Sequence, residues 1–278
     1  MSPNRILSRL SPADLGLLEP HLQPVDLPVR RPLEDRNRRI DYVYFIEAGF
    51  ASVVANGSGK PGIEVGIIGR EGMTGLAIVM GYQRASHDTY IQAAGKGQRI
   101  RAAKLREADE RSNTLHRAML RYAHAYLLQT TATALANGRS KIEERLARWL
   151  LMADDRIDGD RLGLTHEFLS LMLGVRRSGV TTALQALERK GLISRKRGNI
   201  HILNRKGLEK QANDTYVPSQ IASDLTTNRG ANANSRSQPA SLSLAGESTT
   251  ASVFRSRARA VAWCTAMVRA MARAAFAG

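Results

Sequence analysis

The residues best equipped for chemistry gather between Leu164 and Ile193, in LTHEFLSLMLGVRRSGVTTALQALERKGLI. Val180, Ala183, Leu184 and Leu187 recur at steps of three and four, the period of one helical face. Off that stripe lie Arg177, Ser178, Thr181, Thr182 and Gln185. A helix in a DNA major groove needs such side chains: a guanidinium forks onto guanine, short hydroxyls adapt to either partner, and a threonine methyl touches thymine. Downstream, Arg195, Lys196 and Arg197 crowd a short segment, a triplet suited to backbone phosphates, which supply affinity and register without reading sequence. No nucleophile–base pair, metal cluster, phosphate-binding glycine loop or dinucleotide glycine run stands at recognisable spacing, so no enzyme is expected.

The elements that must hold these side chains follow from local signals. Thr165 can cap a short helix whose Phe168, Leu169 and Met172 face inward, Gly174 can turn the chain, and a second helix starts near Arg176 or Arg177. This is helix-turn-helix spacing. Leu192 to Arg197 and Asn199 to Leu203 then read as two short strands around a turn at Gly198, a wing with the three cations at its tip. Two helices and a turn can equally pad a core with Arg176 and Arg177 solvated; the cationic hairpin is what favours a polyanionic partner.

Residues 40 to 103 carry β-like runs cut by glycine: Tyr42 to Ile46, Phe50 to Val54, Ile63 to Ile68, Thr89 to Ala93 and Gln98 to Ala102. Short strands at that spacing point to a sandwich or barrel. From Ala103 to Gly138 the period becomes helical, with Leu115, Met119, Tyr122 and Tyr126 along one stripe, and a single long helix is expected. Such a rod outruns a small β domain, so the stripe is expected to meet a second copy of the chain, the alternative being its own domain's surface. Ser140 with Glu143 forms a capping pair for the next helix, and Asp154, Asp155, Asp158 and Asp160 close it.

Composition bounds the rest. The 278 residues hold 41 Lys and Arg against 25 Asp and Glu, a net +16 that points to nucleic acid first. Residues 137 to 210 alone hold 16 basic against 9 acidic side chains. The single cysteine, Cys264, excludes an intramolecular disulfide, a thiolate zinc site and a cysteine-ligated cluster. Arg5, Arg9, Asp14 and Glu19 interrupt the amino terminus where an export signal needs an apolar run, and no stretch is apolar enough to span a membrane, so a cytoplasmic protein is expected. After Tyr216 the composition turns to Ser, Ala, Asn, Thr and Arg; residues 213 to 278 read as a disordered tail, with a basic helix available at Phe254 to Phe276.

Over residues 10 to 212 the chain resembles the Crp/Fnr bacterial transcription regulators. The resemblance rests on IDYVYFIEAGFASVV, on IIGREGMTGLAIVMGYQRAS, on the long helix and on the helix-turn-helix. It implies an α+β chain: a jelly-roll domain over residues 1–102, a dimerisation helix over 103–138 and a winged helix-turn-helix over 139–212. It further implies a homodimer on a two-fold symmetric operator in double-stranded DNA, with RNA polymerase as a further partner. Thr165, His166 and Arg176 would then lie near phosphates, as would the wing, and Arg177, Ser178 and Thr182 would read bases. Relatives with a glutamate and an arginine at the last two positions differ from Ser178 and Thr182, so operator preference does not transfer. The cyclic-nucleotide determinants are half kept: Gly72 is followed by Met73 where a ribose-holding glutamate is needed, while Arg84 and Ser86 fall near the phosphate position. No cofactor is assigned with certainty, a cyclic nucleotide being the disfavoured candidate. The rival reading is an effector-binding module whose winged segment contacts protein.

Overall fold

The computed structural model describes residues 2–57, 62–157, 159, 162–196, 199–216 and 218, all within the first of two units, Met1–Ala233. Arg197 and the tail readings beyond residue 218 fall outside the described residues; the first residues of the expected tail are instead ordered, Arg148 Nε donating to Thr215 C=O at 2.9 Å and the Tyr216 hydroxyl to Asp155 at 2.9 Å. Helix α1 (Pro12–Leu18) leads into strands β1 (Gln23–Leu27), β2 (Pro32–Glu34), β3 (Tyr42–Ile46), β4 (Phe50–Ala55) and β5 (Ile63–Ile68). A short helix α2 (Leu76–Val79), then β6 (Asp88–Ala93) and β7 (Gly95–Arg101), complete this part. Helices α3 (Ala102–Arg111), α4 (Asn113–Arg139) and α5 (Ile142–Asp154) follow. The last segment holds β8 (Leu162–Gly163), α6 (His166–Leu173), α7 (Arg177–Arg189), β9 (Ile193–Lys196), β10 (Asn199–Ile202) and α8 (Arg205–Gln211).

The amino-terminal strands form two antiparallel sheets, ordered β1-β7-β3 and β2-β6-β4-β5. Alternate residues of both, Leu27, Tyr44, Ile46, Val53, Ile68 and Ile91, bury one shared core, which is what period-two strands in a sandwich require. The free edge of β5 is closed from outside: the Gln129 side chain on α4 accepts from Ile67 N–H at 2.7 Å and donates to Ile67 C=O at 3.1 Å. An amide thus substitutes for a neighbouring strand and blunts an edge open to other chains.

The expected single helix is broken. Ser112 leaves helical geometry between α3 and α4, and its Oγ accepts from Leu115 N–H at 3.2 Å while donating to Asp14 of α1. A serine that caps the next helix and reaches a buried carboxylate offers more than one further turn would. The capping pair is displaced as well. Ser140 closes α4 through Ala136 C=O, and Lys141 stands at the head of α5, its N–H donating to Glu144 at 3.0 Å.

α4 carries two stripes. Leu115, Met119 and Tyr122 are buried, with Tyr126 half-buried beside them, and all pack on the sandwich of their own chain. This corrects the expected dimer stripe, because those side chains are consumed inside one protomer. The opposite side exposes Leu120 (41%), Leu127 (59%), Leu128 (40%) and Leu135 (47%).

The carboxy-terminal segment packs against the sandwich through α5. Trp149 meets Phe50 of β4 edge-on at 6.3 Å and Phe168 of α6 at 5.6 Å. Its Nε1–H donates to Glu64 of β5 at 2.5 Å. Arg156 adds a buried ion pair to Glu71 at 2.6 Å. Burial pushes Glu64 up to about 7, against the Trp149 hydrogen bond and the charge of Arg148. Composition and periodicity contain nothing that pairs Glu64 with Trp149, which lie 85 residues apart.

Candidate nucleic-acid interface

The site is built on α7, and its posture is set by what α7 buries. Val180, Ala183, Leu184 and Leu187 are all 1% exposed or less, and they pack in one core with Leu146 and Leu150 of α5 and Leu169 and Met172 of α6. Thr165 starts α6, its Oγ1 accepting from Phe168 N–H at 3.1 Å. Gly174 ends it in the left-handed conformation (φ +61°), where a side chain would also press Ile63 of β5. The turn between the two helices therefore touches the sandwich as well as α7.

With the apolar stripe inward, Arg176, Arg177, Ser178, Thr182 and Gln185 are exposed together. Thr181 is half-buried, its Oγ1 3.1 Å from His166 Nδ1. In each threonine the hydroxyl donates to the carbonyl four residues back, Thr181 to Arg177 and Thr182 to Ser178, both at 3.1 Å. Each hydroxyl oxygen keeps acceptor capacity beyond that bond, which Thr181 shares with His166. Arg177 is the long cation of the face, at the amino-terminal end of α7, where base-reading side chains of this motif sit. Thr165 and Arg176 are exposed and His166 is half-buried, flanking the same end.

The wing departs from expectation. β9 and β10 form the hairpin, and β8 joins as a third strand on the far side of β10, a pairing that two residues are too short to announce in sequence. Arg195 is engaged by Glu188 of α7: Nε and Nη2 donate to Oε2 at 3.0 and 2.7 Å, and the Arg195 N–H donates to Oε1 at 3.1 Å. The same contact holds the Glu188 carboxyl below its usual range. Arg195 thus locks wing to helix, and its charge is offset locally. Lys196 is exposed at the end of β9. Sequence spacing hid the pair because Glu188 and Arg195 belong to different elements.

The residues considered for a cyclic nucleotide differ in exposure and partners. Gly72 lies under the Tyr122 ring, whose hydroxyl donates to Met73 C=O at 3.0 Å, and a side chain on Gly72 would collide with that ring. Arg84 is exposed and donates to Asn37 C=O at 2.8 Å, and Ser86 is exposed. Glu34, half-buried, joins neighbouring segments by accepting from Gly75 N–H at 2.7 Å and from Thr89 Oγ1 at 2.8 Å. Among the described residues no group of three metal-ligating side chains is present, and no helix is long and apolar enough to cross a membrane.

Residues 144–211 match the Crp-like helix-turn-helix domain. The chain carries a Crp-like helix-turn-helix. That Crp-like domain takes in α5 to α8, hence the whole of the exposed face. Three solved structures share the fold: FixK2 from Bradyrhizobium japonicum (16% identity, TM-score 0.58, covering 68% of this chain and 96% of that one); CLP from Xanthomonas campestris, a c-di-GMP-responsive global regulator (16%, 0.55, 69% and 99%); and a CRP-family transcriptional regulator from Thermus thermophilus (18%, 0.55, 68% and 96%). At these identities the likeness speaks for the fold, which is the Crp/Fnr arrangement of sheet domain, long helix and helix-turn-helix. No curated protein matches the chain in sequence.

Proposed function

We propose that the chain is a homodimeric, sequence-specific regulator of transcription that reads a two-fold symmetric operator with α7, and that it is not an enzyme. The observation that carries this is the exposed, core-anchored set of Arg177, Ser178, Thr182 and Gln185 on a Crp-like helix-turn-helix. Phosphate contacts would come from Thr165, His166, Arg176 and Lys196. RNA polymerase is the expected partner at a promoter, and the cytoplasm the expected location.

Dimerisation is assigned to the outer side of α4. Arg117, Leu120, His124, Leu127, Thr131, Ala134 and Gly138 alternate at steps of three and four and are all exposed. That is the heptad spacing of a coiled coil, with Leu120, Leu127 and Ala134 as its apolar members. Ala134 and Gly138 would let two helices approach closely at one end, while Leu128 and Leu135 widen the apolar strip. A 27-residue helix gives roughly 40 Å of rod, ample for such a seam.

Fluorescence anisotropy on an operator duplex, with Arg177→Ala beside the parent chain, tests the reading. Arg177→Ala should weaken operator binding by ~1 to 3 kcal/mol while sparing binding to unrelated duplex. Parent affinity should fall steeply with salt as counterions are displaced. Equal loss on both duplexes, or no loss, would favour a winged segment that contacts protein.

A further inference from the structure

A second feature lies away from the DNA face. A cleft of about 390 Å³ opens where the start of β3, the end of α2 and the β7–α3 junction meet. Arg39, Arg101 and Arg106 line it, with Asp41 the one carboxylate, and Tyr42, Ile40, Ile78 and Ala102 form its apolar surface. Arg101 is steadied with its Cζ 5.6 Å from the Tyr42 ring centre, and Arg99 covers the same ring at 4.7 Å. Arg106 has only a loose pairing with Glu110, 3.7 Å away and mostly exposed.

Three guanidiniums around one concavity repel one another, and Asp41 with the loosely paired Glu110 offsets only part of that charge. Each is a planar fork suited to phosphate oxygens. The volume falls in the range of small-molecule sites, and the mixture of apolar surface with a few convergent charges is their usual make-up. The interior between the two sheets, by contrast, is filled by the apolar core of Leu27, Tyr44, Ile46, Val53, Ile68 and Ile91. Arg84, the cation that sequence reading tied to an anionic effector, pairs by its backbone with Arg39 at the rim of this cleft.

The geometry points to a small-molecule site for an organic polyanion of nucleotide size, its phosphate groups on Arg39, Arg101 and Arg106 and its body against Tyr42, Ile40 and Ile78. The site does not depend on the DNA-reading proposal. Both could fail separately.

Isothermal titration calorimetry of the full chain with ATP, inorganic pyrophosphate and adenosine tests it. ATP should bind saturably with one site per chain, pyrophosphate more weakly, and adenosine not measurably. Arg39→Gln with Arg106→Gln should weaken ATP by about tenfold or more, since two charge-assisted contacts are lost. Both side chains are exposed, and circular dichroism checks that the variant folds. Arg30→Gln with Lys96→Gln makes the same change in net charge at exposed positions outside the cleft and should leave ATP affinity within about twofold, because a distant exposed charge is largely screened. No saturable ATP binding, equal weakening in both double variants, or adenosine binding as tightly as ATP would each overturn the assignment.

Discussion

Replacing Glu64 with Gln should remove a large part of the pH dependence of stability. Glu64 is buried at the contact between β5 and α5, and its Oε1 accepts the Trp149 Nε1–H. Glutamine keeps that acceptor and the size of the side chain and deletes only the ionisation. The carboxyl titrates at about 7 in the folded chain against an ordinary 4.5, because burial disfavours its charged form. A midpoint raised on folding means that the folded chain holds the proton more tightly. The stabilisation is complete below about pH 4.5 and fades as pH climbs toward 7 and above. Over that window the difference amounts to about 3 kcal/mol. Urea denaturation of the parent chain and Glu64→Gln at about pH 5 and pH 8 measures it, and other titrating groups cancel in the comparison. The parent should lose about 2 to 3 kcal/mol more than the variant across the interval, part of the full difference having been lost by pH 5. Parallel pH profiles, or a variant that is the more pH-sensitive of the two, would refute the assignment of a neutral carboxyl to the Trp149 contact.

Other consequences can be checked separately. Leu127→Asp should convert a dimer to a monomer in sedimentation without loss of helix signal, because Leu127 is 59% exposed and bears on no core of its own chain. Gly174→Ala should destabilise the chain by ~1 kcal/mol or more through the left-handed backbone, read as a lower denaturation midpoint. Glu188→Gln should raise affinity for unrelated duplex and steepen its salt dependence by roughly one phosphate contact, since Arg195 loses its offsetting charge. An unchanged salt slope would show that Arg195 cannot reach the duplex even when released.

What could be read from the sequence was what local pattern encodes. β3 and β5 fall where the glycine-bounded runs placed them, and α7 buries the four residues its period selected. Thr165 and Gly174 act as the cap and the turn, because both roles depend on a single residue's own chemistry. β1 and β2 are not legible in sequence, since Pro24 and Pro32 disguise strands that lie at the edges of their sheets. From sequence the stripe on α4 resembles a dimer seam, because periodicity reveals that a face is apolar and says nothing of what covers it. The answer lay in contacts such as Tyr122 to Met73, 49 residues apart. Glu188 with Arg195 and Glu64 with Trp149 were likewise set by three-dimensional approach, and a charge count treats such groups as free.

The central claim, that α7 reads base edges as one of a symmetric pair, is tested most directly by selecting binding sites for the full chain from a random DNA pool. The account predicts enrichment of a two-fold symmetric motif whose half-sites lie about one duplex turn, roughly 34 Å, apart, and its loss in Arg177→Ala. A pool that stays random after repeated selection, or that yields a motif retained by Arg177→Ala, would contradict it.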